Sequence, residues 1–335
     1  MAVTRAKPRR SPARRLRPAR RTSAAEELIP RGENQLEVNI EDRKVRLTNL
    51  NKLFWADLGI TKGDLLRYYF EVSPYLLPHL TDRAMVLKRY PNGAFGDFFF
   101  QKRAPEPRPE WIEICSIQHA AAGLVRFAVV RDLAPLLWVV NLGTIDLNPW
   151  NARCDYTMRP DYLHFDLDPV EAANFERICE TAKVVHEVLD AQKIPNYAKT
   201  SGSRGVHVYV PIVRGPVQKE VWTFAKALAQ QLEKMRPELI TAEYRIANRP
   251  KGHVLVDYNQ NAWGRTLASV YSVRPKPQAP VSTPVTWEEI RRGIRIEDFR
   301  IDNVPERIKK LGEIWKPMLQ ERGRFELKKV LNKVV

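Results

Sequence analysis

The sequence predicts a fold of mixed class, α+β or α/β, with helices covering a mixed sheet. Three observations carry that expectation. Strand-like and helix-like segments alternate through the second half, with strands at 162–168, 206–212 and 253–258 and helices at 172–190 and 217–235. Each helix has one apolar face at three- and four-residue spacing. In the first, the face is Phe175, Ile178, Ala182, Val185 and Leu189; in the second, Val217, Val221, Phe224, Leu228, Leu232 and Met235. Finally, 335 residues with 44% in the hydrophobic class suffice for one large or two smaller folded units.

In chain order, the first segment is a basic tail. Residues 1–22 carry nine Lys and Arg and no acid, and Pro8, Pro12 and Pro18 break any helix there. Residues 1–33 are expected to be a disordered basic tail and 34–335 a folded unit. A short strand is expected around Val45 and Leu47. Thr61-Lys62-Gly63-Asp64 then opens a helix carrying Leu65, Leu66, Tyr68, Tyr69 and Val72. Residues 85–90 read as a strand closed by the Pro91-Asn92-Gly93 turn. In Phe98-Phe99-Phe100 the alternation of a strand cannot bury all three rings, so at least one is exposed or packed in a loop. A strand at 124–130 and a buried helix at 132–142 follow, and after the second-half elements helices are expected at 286–293 and 304–320.

Composition excludes several function classes. The longest apolar run, Leu136 to Val140, is far below the roughly 18 residues that suggest a membrane span, and no apolar signal segment opens the chain. Cys115, Cys154 and Cys179 are odd in number and widely spaced, so neither a disulfide framework nor a zinc ribbon is expected, and a reducing interior is the natural setting. There is no G-x-x-x-x-G-K-[ST] loop and no G-x-S-x-G elbow. His79, His119 and His186 show no metal-ligand spacing and are expected to be structural or exposed. The formal net charge is +16, and basic residues still outnumber acids without the tail. A polyanion, DNA or RNA, is the expected partner, and no amphipathic helix supports a membrane.

The segment 162–168 carries the most chemistry. Its period of two places Tyr162, His164, Asp166 and Asp168 on one side and Leu163, Phe165 and Leu167 on the other. Neighbouring carboxylates repel unless a cation lies between them, and oxygen ligands favour Mg²⁺ or Mn²⁺. Such pairs also occur at solvated strand ends, so the pair needs support. Asp257 supplies it by ending the apolar strand 253–257, although a lone Asp there could merely cap its strand. Three carboxylates at the ends of two neighbouring strands suit a two-metal site for in-line displacement at phosphorus. Between them, Thr200-Ser201-Gly202-Ser203-Arg204-Gly205-Val206-His207 offers two glycines for a tight turn and several donors for an anion. Alone it would pass for a simple turn; between the carboxylates it reads as a triphosphate cradle.

Taken together, D-L-D-P at 166–169, T-S-G-S-R-G-V-H at 200–207, V-D-Y-N-Q-N at 256–261 and Y-S-V-R at 271–274 resemble the polymerase domain of bacterial DNA ligase D, in the archaeo-eukaryotic primase superfamily. The resemblance continues upstream in L-T-N-L-N-K at 47–52, G-I-T-K-G-D at 59–64, L-K-R-Y-P-N-G at 87–93 and F-F-Q-K at 99–102, and so covers about residues 40–320. It implies an α+β, primase-like fold, with mixed sheets flanked by helices in two closely packed lobes around a catalytic cleft. Residues 34–335 would then be a primase-polymerase catalytic domain.

The implied activity is template-dependent nucleotidyl transfer that fills gaps and extends ends in double-strand break repair by non-homologous end joining, with a preference for ribonucleotides. By match to the motifs, Asp166, Asp168 and Asp257 would hold two metal ions, Mn²⁺ or Mg²⁺. Ser201, Arg204 and His207 would contact the incoming nucleoside triphosphate, with Gln260 and Arg274 on its phosphates. Phe99 and Phe100 match aromatics that meet the template base, and Asn49, Lys52 and Lys62 match a pocket for the 5′-phosphate beyond a gap. Ku and a DNA ligase are the protein partners the resemblance raises, in a bacterial cytoplasm at the nucleoid. Arg204 stands where many members have Lys, and Asn148 stands where some have a histidine. Two other readings compete: a non-catalytic DNA end-binding module, and a replicative or lesion-tolerant primase-polymerase.

Overall fold

The computed structural model describes residues 23–331. Its centre is a six-stranded sheet in the order Ile240–Thr241, Val254–Asp257, Tyr162–Pro169, Val206–Pro211, Tyr197–Thr200, Pro284–Val285. All neighbours are antiparallel except the first pair, which is parallel. Helices Phe175–Ala191 and Gln218–Met235 pack on this sheet through the expected apolar stripes. Met235 departs from the stripe: as the last residue of its helix it is exposed.

A second, five-stranded sheet pairs Ala84–Arg89 with Phe99–Gln101, Gly123–Val129 and Thr144–Pro149, and Gly123–Val129 in turn with Ile114–His119. Helix Lys62–Leu80 starts where the sequence places it. The Thr61 hydroxyl accepts the Asp64 N–H while the Asp64 carboxylate accepts the Thr61 N–H, closing both ends of the cap. One buried apolar cluster extends from Ile29 to Leu327 and takes in residues of both sheets. No helix among the described residues is long and apolar enough to cross a membrane.

Three expectations are corrected. The expected tail boundary at residue 33 lies too far along the chain. Ser23 caps helix Ala24–Leu28, Ile29 is fully buried, and Arg31 pairs with Glu26 and Asp64. Residues 1–22 lie outside the described residues. The helix expected over 304–320 is two, Val304–Leu311 and Lys316–Leu319, because Gly312 ends the first with a φ of 74°. Cys115 and Cys154 are joined as a disulfide, leaving Cys179 free and buried. Their spacing of 39 residues says nothing in sequence. Strand Ile114–His119 and the segment after Trp150 meet only through the folded sheet, with Cα atoms 5.6 Å apart.

Candidate active site

Strand Tyr162–Pro169 sets the site. In register, Asp166 lies between Asp257 on one neighbour and His207 on the other. Asp166 is buried, and its Oδ1 has no hydrogen-bond partner. That oxygen lies 3.0 Å from His207 Nε2, within ion-pair reach but out of line for a hydrogen bond. Burial and then the Asp257 charge push Asp166 up to about 7. Asp168 also reaches about 7, chiefly through repulsion by Asp166 and then burial. Asp257 is partnered differently: its Oδ1 accepts the Asn259 N–H at 2.8 Å and its Oδ2 accepts Gln260 Nε2 at 3.0 Å. Among the described residues no three His, Cys, Asp or Glu side chains converge into a ready-made metal cage. The donor chemistry nonetheless fits a divalent cation, since Asp166 and Asp168 present crowded carboxylates and one orphaned oxygen that such an ion would satisfy.

His207 is fixed from behind by a residue the sequence does not single out. Lys199 is buried, with its Nζ 2.9 Å from His207 Nδ1, 3.0 Å from the Ala268 carbonyl and 2.6 Å from Ser282 Oγ. Ser282 donates its own proton to the Thr200 carbonyl, so it accepts from Lys199. Burial pushes both Lys199 and His207 toward their neutral forms. Arg274 adds to the lowering of Lys199, and the Asp166 charge opposes it. A Lys199 ammonium makes Nδ1 the acceptor and so puts the imidazole proton on Nε2, the nitrogen that faces Asp166.

The Thr200–Gly205 turn closes over them. Ser201 Oγ accepts the N–H groups of Ser203 and Gly205 at 3.1 and 2.9 Å, and Arg274 Nη1 donates to the Ser201 carbonyl at 2.6 Å. Gly205 has to be glycine, because a Cβ there would overlap the Leu167 carbonyl oxygen between the two aspartates. The resulting cavity of about 290 Å³ is lined by Asp166, Asp168, Ser201, Arg204, His207, Arg274 and Phe100 from the expected set, together with Lys88, Asp146 and Asn148. Gln260 is held on Asp257 instead.

Asp146 and Lys88 are further residues the sequence does not single out. They face each other in register between strands Thr144–Pro149 and Ala84–Arg89. Asp146 is buried and raised by burial, with Oδ2 3.4 Å from Arg274 Nε and 4.0 Å from Lys88 Nζ. Alternation back from Asn148 would have found Asp146. Phe98, Phe99 and Phe100 are all exposed, in keeping with the expectation of at least one. Phe100 lines the cavity, and the Arg89 guanidinium lies 5.2 Å from the Phe99 ring.

Asn49, Lys52 and Lys62 form a second group at the start of helix Lys62–Leu80. Lys62 is only 4% exposed, donates to the Thr48 carbonyl at 2.6 Å, and is pushed down to about 8 by burial and then by Lys52 and Arg89. Lys52 donates to the Pro91 carbonyl at 2.6 Å, and Asn49 turns the chain with a φ of 55°.

A sequence model of the family described as "LigD, primase-polymerase domain" matches residues 61–315. The chain belongs to that family. The chain is 31% identical over 277 residues to the multifunctional non-homologous end joining protein LigD of Mycolicibacterium smegmatis, covering 82% of the chain and 36% of the relative. It is 32% identical over 271 residues to the bifunctional non-homologous end joining protein LigD of Bacillus subtilis, covering 80% and 43%. The chain thus spans less than half the length of these curated relatives. Its fold matches the polymerase domain from Mycobacterium tuberculosis Ligase D, solved in complex with DNA, with a TM-score of 0.77 and 28% identity over 83% of this chain and 98% of that one. A LigD primase-polymerase domain is a DNA-directed nucleotidyltransferase, and the α+β, primase-like class expected from the motifs is the class found.

Proposed function

We propose that the chain is a template-dependent polymerase that fills gaps and extends ends in bacterial double-strand break repair by non-homologous end joining, with a preference for ribonucleotides. The observation that carries this reading is the meeting of Asp166 and Asp168 with the Thr200–Gly205 turn and Arg274 around one cavity. Support for the repair role comes from the names of the relatives, which are end-joining proteins. Ku and a DNA ligase are the partners proposed, in the bacterial cytoplasm at the nucleoid.

Asp166 and Asp168, with Asp257 opposite, would hold two divalent cations, Mn²⁺ or Mg²⁺. When bound, these supply charge neutralisation at the α-phosphate and lower the pKa of the primer 3′-hydroxyl. In the reaction the 3′-oxygen forms a bond to the α-phosphorus as the bond to the leaving pyrophosphate breaks. Arg204 and Arg274 bind the triphosphate. His207 offers its Nε2 proton to a nucleotide oxygen. Gln260 keeps the Asp257 carboxylate oriented. Phe99 and Phe100 provide exposed rings on which a template base stacks. Lys52 and Lys62, with Asn49, bind the 5′-phosphate on the far side of a gap, where the helix N-terminus adds a partial positive charge.

The test is incorporation on a gapped duplex with Mn²⁺ and one nucleoside triphosphate at a time. The expected product is addition of the ribonucleotide complementary to the template. DNA binding without incorporation of any nucleotide would leave only an end-binding role.

A further inference from the structure

Tyr69 lies fully buried in helix Lys62–Leu80, away from the cavity itself. Its hydroxyl donates to the Ile145 carbonyl at 2.5 Å and accepts the Val273 N–H at 3.1 Å. Those two residues immediately precede Asp146 and Arg274, whose side chains meet at 3.4 Å. The segments are also joined farther along, where Leu147 N–H donates to Ser272 Oγ at 2.9 Å and Ser269 N–H donates to the Leu147 carbonyl at 2.8 Å. The Tyr69 hydroxyl therefore stands at the end of this seam nearest the Asp146–Arg274 pair. A phenol can serve both partners at once because it has one proton to give and lone pairs to accept with. Burial pushes its pKa up, so the proton stays on.

We propose that Tyr69 is a positioning residue for nucleotide binding, its hydroxyl setting the spacing between Asp146 and Arg274 and so aiming the Arg274 guanidinium at the triphosphate. This rests on the reading of Arg274 as a phosphate ligand. Removing the hydroxyl leaves a carbonyl and an N–H unpaired in a dry environment, and the two segments relieve that by moving relative to each other. Arg274 Nη1 also donates to the Ser201 carbonyl, so a displaced Arg274 backbone strains that bond and misaligns the guanidinium against the cradle.

Tyr69→Phe deletes one oxygen and keeps the ring in the core. Tyr68→Phe is the matched comparison. Tyr68 is buried in the same helix, but its hydroxyl donates to the Tyr271 carbonyl at 2.8 Å, which neighbours neither Asp146 nor Arg274. The full chain is assayed on gapped DNA with Mn²⁺ for KM and kcat of the complementary nucleoside triphosphate. The variants are Tyr69→Phe, Tyr68→Phe, Arg274→Ala and the double variant Tyr69→Phe with Arg274→Ala. Tyr69→Phe is expected to raise KM about threefold to tenfold, the scale of one hydrogen bond, and to change kcat less. Tyr68→Phe should leave KM unchanged, and the double variant should match Arg274→Ala alone. Three outcomes would overturn the inference: an unaltered KM in Tyr69→Phe, an equal rise in Tyr68→Phe, or independent effects in the double variant. An unaltered KM in Arg274→Ala would instead overturn the phosphate-ligand reading, and the inference with it.

Discussion

At the scale of single residues, the site is a set of charges arranged around Asp166. The strand period in the sequence puts Asp166 and Asp168 on one side, and the terminal position of Asp257 suggests a third carboxylate. The register places Asp257 directly opposite Asp166. Lys199 is not legible, because a lysine just before a turn ordinarily reads as a solvated charge. Only the fold shows it buried beneath His207 with three polar neighbours. Replacing it by Met should leave the Ala268 carbonyl and Ser282 hydroxyl short of a donor and free the His207 tautomer. We expect a loss of about 1–3 kcal/mol in urea unfolding, together with slower incorporation. Unchanged stability and rate would show that His207 is held by something else.

At the scale of elements, the long helices are legible because a 3.6-residue period needs several turns to show, and both have them. The short strands Tyr197–Thr200, Ile240–Thr241 and Pro284–Val285 have two to four residues, too few for any period, and exist through their neighbours in the sheet. Gly205 joins two elements, so Gly205→Ala should force strands Tyr162–Pro169 and Val206–Pro211 apart near the aspartates. The expected cost is about 1–3 kcal/mol in denaturant melts. Helix Lys62–Leu80 makes a pH prediction. Lys62 is held at about 8 against an ordinary value of 10.5. Its contribution to stability is therefore present above 10.5 and is lost as pH falls through about 8. The same protonation governs anion binding with the opposite sense, since the ammonium that attracts a phosphate predominates below about 8. Preference for gapped DNA with a downstream 5′-phosphate should fade as pH rises through that value. Lys62→Arg should hold the preference, and Lys52→Ala with Lys62→Ala should erase it. A preference that is flat with pH in the unaltered protein would remove Lys62 from the pocket.

At the scale of the whole molecule, the class of fold and the order of the motifs are legible, while the disulfide and the start of the folded region are not. Both depend on which distant segments meet: Cys115 reaches Cys154 through the second sheet, and Arg31 reaches Asp64 across the N-terminal junction. The basic segment 1–22 adds nine cations to a chain that is already basic. Deleting it should weaken DNA binding and flatten its salt dependence, by about 0.9 in log–log slope for each phosphate of duplex DNA that the segment neutralises. The incorporation rate at saturating DNA should stay unchanged. An unaltered slope would mean that the segment does not touch DNA. The most direct measurement compares the full chain with its Asp166→Ala, Asp168→Ala double variant on a gapped duplex, reading both DNA affinity and nucleotide incorporation with Mn²⁺. The expected result is retained DNA binding with incorporation abolished; a double variant that still extends the primer would contradict the assignment of these two carboxylates to the chemistry.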